Sequence, residues 1–136
     1  MYPNKIMKVE IIKDVLSRDR NIIAAYIYGS AVRGNYTESS DIDIGVLVKK
    51  EIKDPLYEAK LSIKIEKKLN KEVEVRVLNN KPLIFLHQVF GHGKLLFSKN
   101  EKIRLNFETA TINKYFDFLP FIQEYNNKRF ERYGIR

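Results

Sequence analysis

Cysteine is absent from this sequence of 136 residues. Neither a disulfide framework nor a thiolate metal site can therefore form. No stretch reaches the roughly 18 uncharged apolar residues that a helix needs to cross a bilayer, so we expect no membrane association. Residues 1–21 carry charge throughout and lack the apolar centre of a signal peptide. Taken together, these absences favour a cytoplasmic protein.

Internal repeats, low-complexity tracts and Gly/Ser-rich linkers are also missing, as are a Walker loop and a Ser/His/Asp hydrolase pattern. The length predicts one ordinary domain, and a hydrophobic content of 44% is enough for a core. The formal net charge is +8, which favours phosphate-bearing partners. Because the lysines are scattered along the chain, a Lys-rich surface without a ligand explains the charge equally well. We expect a nucleotide as partner and no direct binding of nucleic acid.

Hydrophobic periodicity predicts alternating helices and strands, hence an α/β fold with a small mixed sheet flanked by helices and a helical C-terminal tail. Asp54 and Pro55 have the residue types of an N-cap and a first helical position. Pro120 is expected to interrupt the last helical region. Helices are predicted over 5–17, 54–69, 82–90 and 100–132, and strands over 22–28, 41–48, 72–78 and 94–97.

The segment 28–45 has the residue types of a phosphate site. A strand ends at Gly29, where the missing side chain lets a ligand approach the backbone. Ser30 follows at a predicted helix N-terminus, where free N–H groups and the helix dipole favour an anion. Arg33 lies one turn further on, and Ser40 closes the turn that follows. These four residues are the candidates for nucleotide binding.

Two aspartates come next in a strand pattern. Asp41 and Asp43 face one side because alternate residues of a strand share a side, while Ile42 and Ile44 face the core. Neighbouring carboxylates repel each other, and a divalent cation removes that cost. Magnesium prefers hard oxygen ligands and often binds one or two carboxylates together with substrate phosphates. Glu74, between two valines of the next predicted strand, is the third candidate ligand.

Each of these parts also has an ordinary structural explanation. Gly-Ser turns are common, an Asp-x-Asp pair is often a solvated strand face, and Glu72, Glu74 and Arg76 fit an exposed face of their strand. The ordered combination of strand, Gly-Ser, ten residues, Asp-x-Asp, helix and strand carboxylate has one mechanism behind it. We therefore favour a catalytic metal site formed by Asp41, Asp43 and Glu74.

Gly29-Ser30, ten residues and Asp41-Ile42-Asp43 resemble the defining motif of the polymerase-beta-like nucleotidyltransferase superfamily. Within it the chain resembles the minimal nucleotidyltransferases, which include antitoxins paired with HEPN-domain toxins. Residues 73–79 resemble the strand that supplies the third acidic ligand, which is most often Asp in the family. Residues 114–120 resemble the C-terminal helices of the antitoxin group.

This resemblance implies a nucleotidyltransferase domain over residues 1–99 and a helical extension over 100–136 packed on the same domain. It implies that Asp41 and Asp43 hold two Mg²⁺ ions that bridge the phosphates of ATP. Glu74 would complete the ion nearest the attacking hydroxyl, and Gly29 and Ser30 would hold the β- and γ-phosphates. The implied reaction transfers AMP from ATP to a tyrosine of a HEPN ribonuclease toxin and releases pyrophosphate.

Two other functions remain open on the sequence alone: an antitoxin that neutralises its toxin by contact without turnover, and a nucleotidyltransferase with a small-molecule acceptor. Intact carboxylates argue against the first, and the little room for an acceptor domain argues against the second. Glu72 faces the same side as Glu74. Alternation cannot choose between them, so the choice of Glu74 follows from the resemblance, and Glu72 is expected to form a solvated salt bridge beside Lys71.

Two further groups of residues have a structural interpretation as their default. His87 is expected to pack at a helix edge and His92 to lie in a glycine turn. The tail carries five aromatic residues, for which core packing is the default and an exposed patch for a partner the alternative. These residues are Tyr115, Phe116, Phe118, Phe121 and Tyr125.

Overall fold

The computed structural model describes residues 5–29, 41–132 and 134. Four helices and four strands follow each other along these residues. The helices are α1 (Lys5–Ser17), α2 (Tyr57–Leu69), α3 (Leu83–His92) and α4 (Glu101–Arg132). The strands are β1 (Ile22–Tyr28), β2 (Ile42–Val48), β3 (Val73–Val77) and β4 (Lys94–Ser98). No helix in the described part of the chain is long and apolar enough to span a membrane.

The four strands form one mixed sheet in the order β3-β2-β1-β4. The central strands β1 and β2 are antiparallel, β4 is antiparallel to β1, and β3 is parallel to β2. The predicted α/β class with a small mixed sheet is therefore confirmed. The parallel pair matters for function, because both strands then begin at the same end of the sheet.

The two faces of the sheet contact different helices. Alternate residues of β2 and β3, such as Ile44 and Val75, pack in one cluster with residues of α1 and α2, including Leu16 and Ile65. The opposite face packs in a second cluster with α3, through residues such as Leu86. Burial of apolar surface stabilises both layers at about 25 cal/mol per Å². Strand alternation thus assigns every β2 and β3 side chain to one layer or the other.

Side chains of α2 bind the outer edge of β3. Val75 donates its backbone N–H to Ser62 Oγ at 2.9 Å, and Val77 donates to Glu58 Oε2 at 2.7 Å. Val73 N–H donates in the same way to Glu66 Oε1 at 3.0 Å. Acceptors four residues apart on a helix rise about 6 Å, close to the two-residue repeat of a strand. The helix thereby covers an edge that would otherwise present unpaired N–H groups.

The first half of α4 packs on α3 and on β1. The Tyr26 hydroxyl of β1 donates to Glu108, which also accepts a hydrogen bond from Arg104 at 2.9 Å. The rings of His87 and Tyr115 stack with centroids 3.6 Å apart and planes inclined by 9°. The expectation that His87 packs at a helix edge is confirmed, and its neighbour is an aromatic residue of the tail.

Several predicted boundaries need correction. α2 begins at Tyr57 because Asp54 closes a turn first: its carboxylate accepts the Leu56 N–H at 2.9 Å. α3 continues through Gly91 to His92, so the predicted break comes two residues later. Pro120 lies inside α4 and does not end it. A proline removes one hydrogen bond, and the flanking turns keep the helix continuous here.

Candidate functional site

The register of three strands places the predicted carboxylates together. Asp43 on β2 is the register partner of Glu74 on the parallel strand β3. On its other side Asp43 is the partner of Tyr28, the last residue of β1. Neighbouring strands lie about 4.8 Å apart, and register partners share a face. Asp43 and Glu74 therefore stand side by side on the α3 face of the sheet, at the end where β2 and β3 begin.

Gly29 allows the chain to pass close to Asp43. Its φ is +77°, a conformation that side chains disfavour. A Cβ added at Gly29 would stand 2.5 Å from Asp43 Oδ2 and 3.4 Å from its Cγ. Any other residue would displace this carboxylate. The glycine that the sequence motif predicted for a phosphate site therefore also lets the backbone pass this close to the central aspartate.

Glu74 is held by an arginine of its own strand. Arg76 donates from Nε and Nη2 to the same Glu74 oxygen, Oε1, at 3.0 and 2.7 Å. Both side chains remain partly exposed, 51% for Glu74 and 38% for Arg76, so the pair adds little to stability. Its effect is geometric, because an arginine fork fixes the orientation of a carboxylate. The arginine hydrogen bonds engage Oε1 and leave Oε2 as the oxygen for another ligand.

Tyr28 and Phe85 form an aromatic wall beside these charges. Their rings meet edge to face at 5.6 Å, and the Arg76 guanidinium lies 5.8 Å from the Phe85 centroid. Burial raises the pKa of Tyr28 to about 12; Arg76 opposes this shift and Asp43 adds to it. Within the part of the chain that the structure describes, the buried Tyr28 hydroxyl has no hydrogen-bond partner. This wall was not predicted as part of the site, although Tyr28 directly precedes the Gly-Ser motif.

Asp41 and Glu72 form a second carboxyl pair at the same end of the sheet. Both are exposed and immediately precede β2 and β3. The pKa of Glu72 is raised because its carboxyl hydrogen-bonds that of Asp41 and because the Asp41 charge repels its own. The interaction of Glu72 predicted from the sequence was a solvated salt bridge beside Lys71, and the carboxyl of Asp41 is a neighbour that this prediction did not include.

The described residues thus contain four of the seven candidate site residues: Gly29, Asp41, Asp43 and Glu74. Ser30, Arg33 and Ser40 lie outside the described residues, and their roles stay predictions. Over residues 5–29, 41–132 and 134 no three acidic or histidine side chains converge as metal ligands. Glu74 accepts hydrogen bonds from Arg76, and Asp41 has the Glu72 carboxyl as its neighbour.

The carboxylates present nevertheless fit magnesium. Asp43 and Glu74 are adjacent, both are hard oxygen ligands, and the space beside Asp43 Oδ2 is one that a Cβ would fill. Magnesium usually takes one or two carboxylates and completes its shell with water and substrate phosphates, so it does not require a closed protein cage. Asp41, Asp43 and Glu74 stay the predicted ligands.

Comparison with known proteins agrees with this geometry. The family model described as "Polymerase beta, Nucleotidyltransferase" matches residues 10–102, which is more than half of the chain. That range includes both carboxylate-bearing strands and Gly29. No curated protein sequence matches the chain.

Solved structures share the fold. A toxin–antitoxin complex with AMP-PNP contains a chain with 24% identity and a TM-score of 0.77, over 88% of this chain and 96% of that one. The complex of a tri-AMPylated Shewanella oneidensis HEPN toxin with its MNT antitoxin matches at 21% identity and 0.75, covering 92% and 98%. Spectinomycin adenyltransferase from Enterococcus faecialis, with ATP and spectinomycin, matches at 18% and 0.55, covering 72% of this chain and 58% of that one.

Proposed function

This chain belongs to the polymerase beta nucleotidyltransferase family, and on that premise we propose that it transfers AMP from ATP to a tyrosine of a HEPN-domain toxin and so acts as an antitoxin. The reaction forms a bond between the acceptor oxygen and the α-phosphorus of ATP. The bond from that phosphorus to the bridging oxygen breaks, pyrophosphate leaves, and the hydroxyl proton passes to a base.

The observation that carries the proposal is the pairing of Asp43 with Glu74 beside Gly29. The charges of two adjacent carboxylates repel each other, and a metal ion bound between them would offset that repulsion. Beside them, Gly29 has no side chain that would displace the Asp43 carboxylate. This arrangement serves phosphoryl chemistry better than it serves the stability of the fold.

Asp41, Asp43 and Glu74 would hold Mg²⁺ ions, two in the proposed mechanism. When bound, such ions stabilise the entering and leaving oxygens of an in-line displacement. Asp43 is the central ligand because β1 and β3 flank it on both sides. Gly29 and Ser30 would hold the β- and γ-phosphates, with Arg33 and Ser40 as further contacts.

Glu74 is the proposed group beside the acceptor hydroxyl. With Oε1 held by Arg76, Oε2 is the oxygen that would ligate metal or accept the proton. A general base must lie within hydrogen-bond reach of the proton that it removes. Glu74 meets this need better than Glu72, because Glu74 is the register partner of Asp43 and accepts hydrogen bonds from Arg76, whereas Glu72 precedes β3.

The toxin is proposed as acceptor because two of the solved structures that share this fold over about nine tenths of the chain are toxin–antitoxin complexes, one of them with an AMPylated HEPN toxin. A small-molecule acceptor is the second candidate. The spectinomycin adenyltransferase supports it less well, because this chain matches only 58% of that enzyme. The remainder of that enzyme has no counterpart in these 136 residues.

The test is transfer of labelled AMP from ATP to a co-expressed HEPN toxin, with and without EDTA. We expect label on the toxin only when magnesium is present. Asp43→Asn keeps the side-chain shape, removes one charge and should lower transfer at least about a hundredfold, since it removes charge stabilisation of the transition state. A wild-type protein that labels no toxin, or an Asp43→Asn variant that labels it at the normal rate, contradicts the proposal.

A further inference from the structure

One line of residues lies along nearly the same side of α4, and its members are buried in the first half of the helix and exposed in the second half. Residues seven apart lie almost on the same side of a helix, because seven residues make two turns less about 20°. Arg104 and Thr111 are on this line in the first half of α4 and are 12% and 5% exposed. Phe118 and Tyr125 continue it in the second half, at 57% and 62%.

Phe121 widens this line into a stripe. It lies three residues after Phe118 and is 68% exposed, and the two rings have centroids 6.2 Å apart. Phe107, two turns before Lys114 and four before Phe121, packs edge to face on Phe90 of α3. The side of α4 that packs on α3 in its first half therefore continues into the second half as an exposed aromatic surface, which no described residue covers. We call Phe118, Phe121 and Tyr125 the aromatic stripe.

The size of the stripe suits a protein partner. A buried aromatic side chain covers about 150–250 Å², so the exposed fractions of the three rings amount to roughly 400 Å² of apolar surface. A stable complex buries about 800 Å² on each partner, with aromatic anchors in its centre. At the base of the stripe Leu86, Thr111 and Phe118 line a cavity of about 420 Å³, large enough for a partner side chain.

Charge selects against a second copy of this chain as the occupant. Lys114 and Arg132 lie four or seven residues from members of the stripe, on the same side of α4. Lys128 lies seven residues after Phe121 and forms an ion pair with Glu124 at 3.2 Å. In an antiparallel pair centred on Phe121, Lys114 of one copy would face Lys128 of the other, and in a parallel pair each cation would face itself. With a chain charge of +8 as well, self-association brings like charges together.

The position of the stripe favours a partner large enough to span one face of the sheet. α4 packs on α3, which covers the sheet face that carries Asp43 and Glu74. The cavity at the base of the stripe is also lined by Asn79, which joins the end of β3 to β2 through hydrogen bonds with Val48 of 3.0 and 2.8 Å. This cavity lies past the end of β3, whereas Glu74 lies near its start, five residues or roughly 16 Å away along the strand. A ligand that binds the stripe and also reaches the carboxylates must span that length, which a protein acceptor does and a small molecule does not.

We infer that Phe118, Phe121 and Tyr125 dock the protein acceptor of the transfer reaction, which presents an apolar surface bordered by acidic side chains. The inference rests on the proposed function, since the acceptor is the proposed toxin. It assigns catalysis and docking to separate parts of the chain. Phosphoryl chemistry belongs to the strand ends, and capture of the acceptor belongs to the outer half of α4.

The experiment compares Phe121→Ala/Tyr125→Ala with Phe116→Ala by titration calorimetry against a catalytically inactive HEPN toxin. Phe116 is a matched control, since it is 61% exposed on the other side of α4. We expect the double variant to weaken binding at least about a hundredfold and the control to change it less than about threefold. Both variants should keep the thermal stabilisation by magnesium–ATP. Lys114→Glu/Arg132→Glu, which removes no apolar group, should also weaken binding, and circular dichroism checks that helices persist.

Three results overturn the inference. The double variant binds toxin as tightly as the wild type, the Phe116 control loses as much affinity as the double variant, or ultracentrifugation shows a wild-type dimer that becomes monomeric in the double variant. The last would assign the stripe to a second copy. Asp43→Asn separates docking from chemistry, because it should bind toxin normally and transfer no AMP. If the wild type binds toxin through the stripe but never labels it, the proposed transfer fails and the docking surface stands.

Discussion

The strand ends that carry Asp43 and Glu74 and the outer half of α4 both expose groups that folded proteins usually pair or bury. They differ in what holds them. The two carboxylates lie on adjacent strands, with β1 on one side and the edge contacts of α2 on the other. Phe118, Phe121 and Tyr125 lie on the outer half of α4 and are more than half exposed among the described residues.

This difference separates a prepared site from a surface that awaits a partner. The carboxylates are preorganised, so a cation and a triphosphate can bind without rearranging the sheet. The aromatic stripe gains its stabilisation only when another protein covers it. Changes at the strand ends should therefore alter chemistry and leave docking intact, and changes at the stripe should do the reverse.

The largest effect is expected for Glu74→Gln. Loss of this ligand and base should lower AMP transfer at least about a hundredfold while ATP binding is largely retained. Glu72→Gln is the matched control and should change transfer less than about threefold. Transfer of labelled AMP to the toxin measures both. If Glu72→Gln were inactive and Glu74→Gln active, Glu72 and not Glu74 would be the metal ligand and base.

Magnesium–ATP should raise the melting temperature, whereas ATP with EDTA should not. A ligand at a hundred times its Kd stabilises the native state by about 2.7 kcal/mol. Without a cation the carboxylates repel the triphosphate. Phe121→Ala should show the full shift, because the stripe takes no part in nucleotide binding. Equal shifts with magnesium and with EDTA would count against the metal site.

Gly29→Ala should lower stability by about 1–3 kcal/mol through its positive φ, and it should weaken magnesium–ATP binding about tenfold. The added methyl would stand 2.5 Å from Asp43 Oδ2, so the carboxylate must move. Gly91→Ala is the control: it lies in α3, and nothing lies within 4 Å of its added Cβ. That change should be neutral or stabilising by up to about 1 kcal/mol. Urea unfolding and ATP titration measure both quantities.

The smallest effect is expected for Ser62→Ala. It leaves the Val75 N–H at the edge of β3 without its acceptor, which costs about 1–2 kcal/mol of unfolding free energy. Ser17→Ala removes an exposed hydroxyl that donates to the Asp14 carbonyl and should cost less than about 0.5 kcal/mol. Equal urea midpoints for the two variants would show that α2 does not stabilise the β3 edge.

Much of the site could be predicted because its signals are local. Alternation along β2 separates Asp43 from Ile42 and Ile44, and both isoleucines are indeed buried. The Gly-Ser turn predicted a strand end, and β1 ends at Tyr28. Period-two and period-3.6 patterns depend on neighbours in sequence, so one chain suffices to detect them. The family resemblance then selected Glu74 where alternation could not.

Contacts between distant segments could not be read in this way. The Arg76 fork on Glu74 has a local cause, but the approach of Phe85 to Tyr28 depends on where α3 packs. The pairing of Asp41 with Glu72 follows from the parallel register of β2 and β3. Core packing was the default for the tail aromatics, and it is wrong for Phe116 and for the stripe, because the helical pattern is the same whether or not another element covers it.

The sequence by itself determined the α/β class, the order of the elements, the layer that each strand residue faces and the candidates for phosphate and metal binding. Periodicity and turn chemistry act over a few residues, and they are sufficient for those properties. Only the tertiary structure decided that Glu74 stands beside Asp43, that α2 covers the β3 edge, and that the stripe on α4 lies uncovered. Each depends on packing and register between segments far apart in the chain, which the free energy of the whole fold selects.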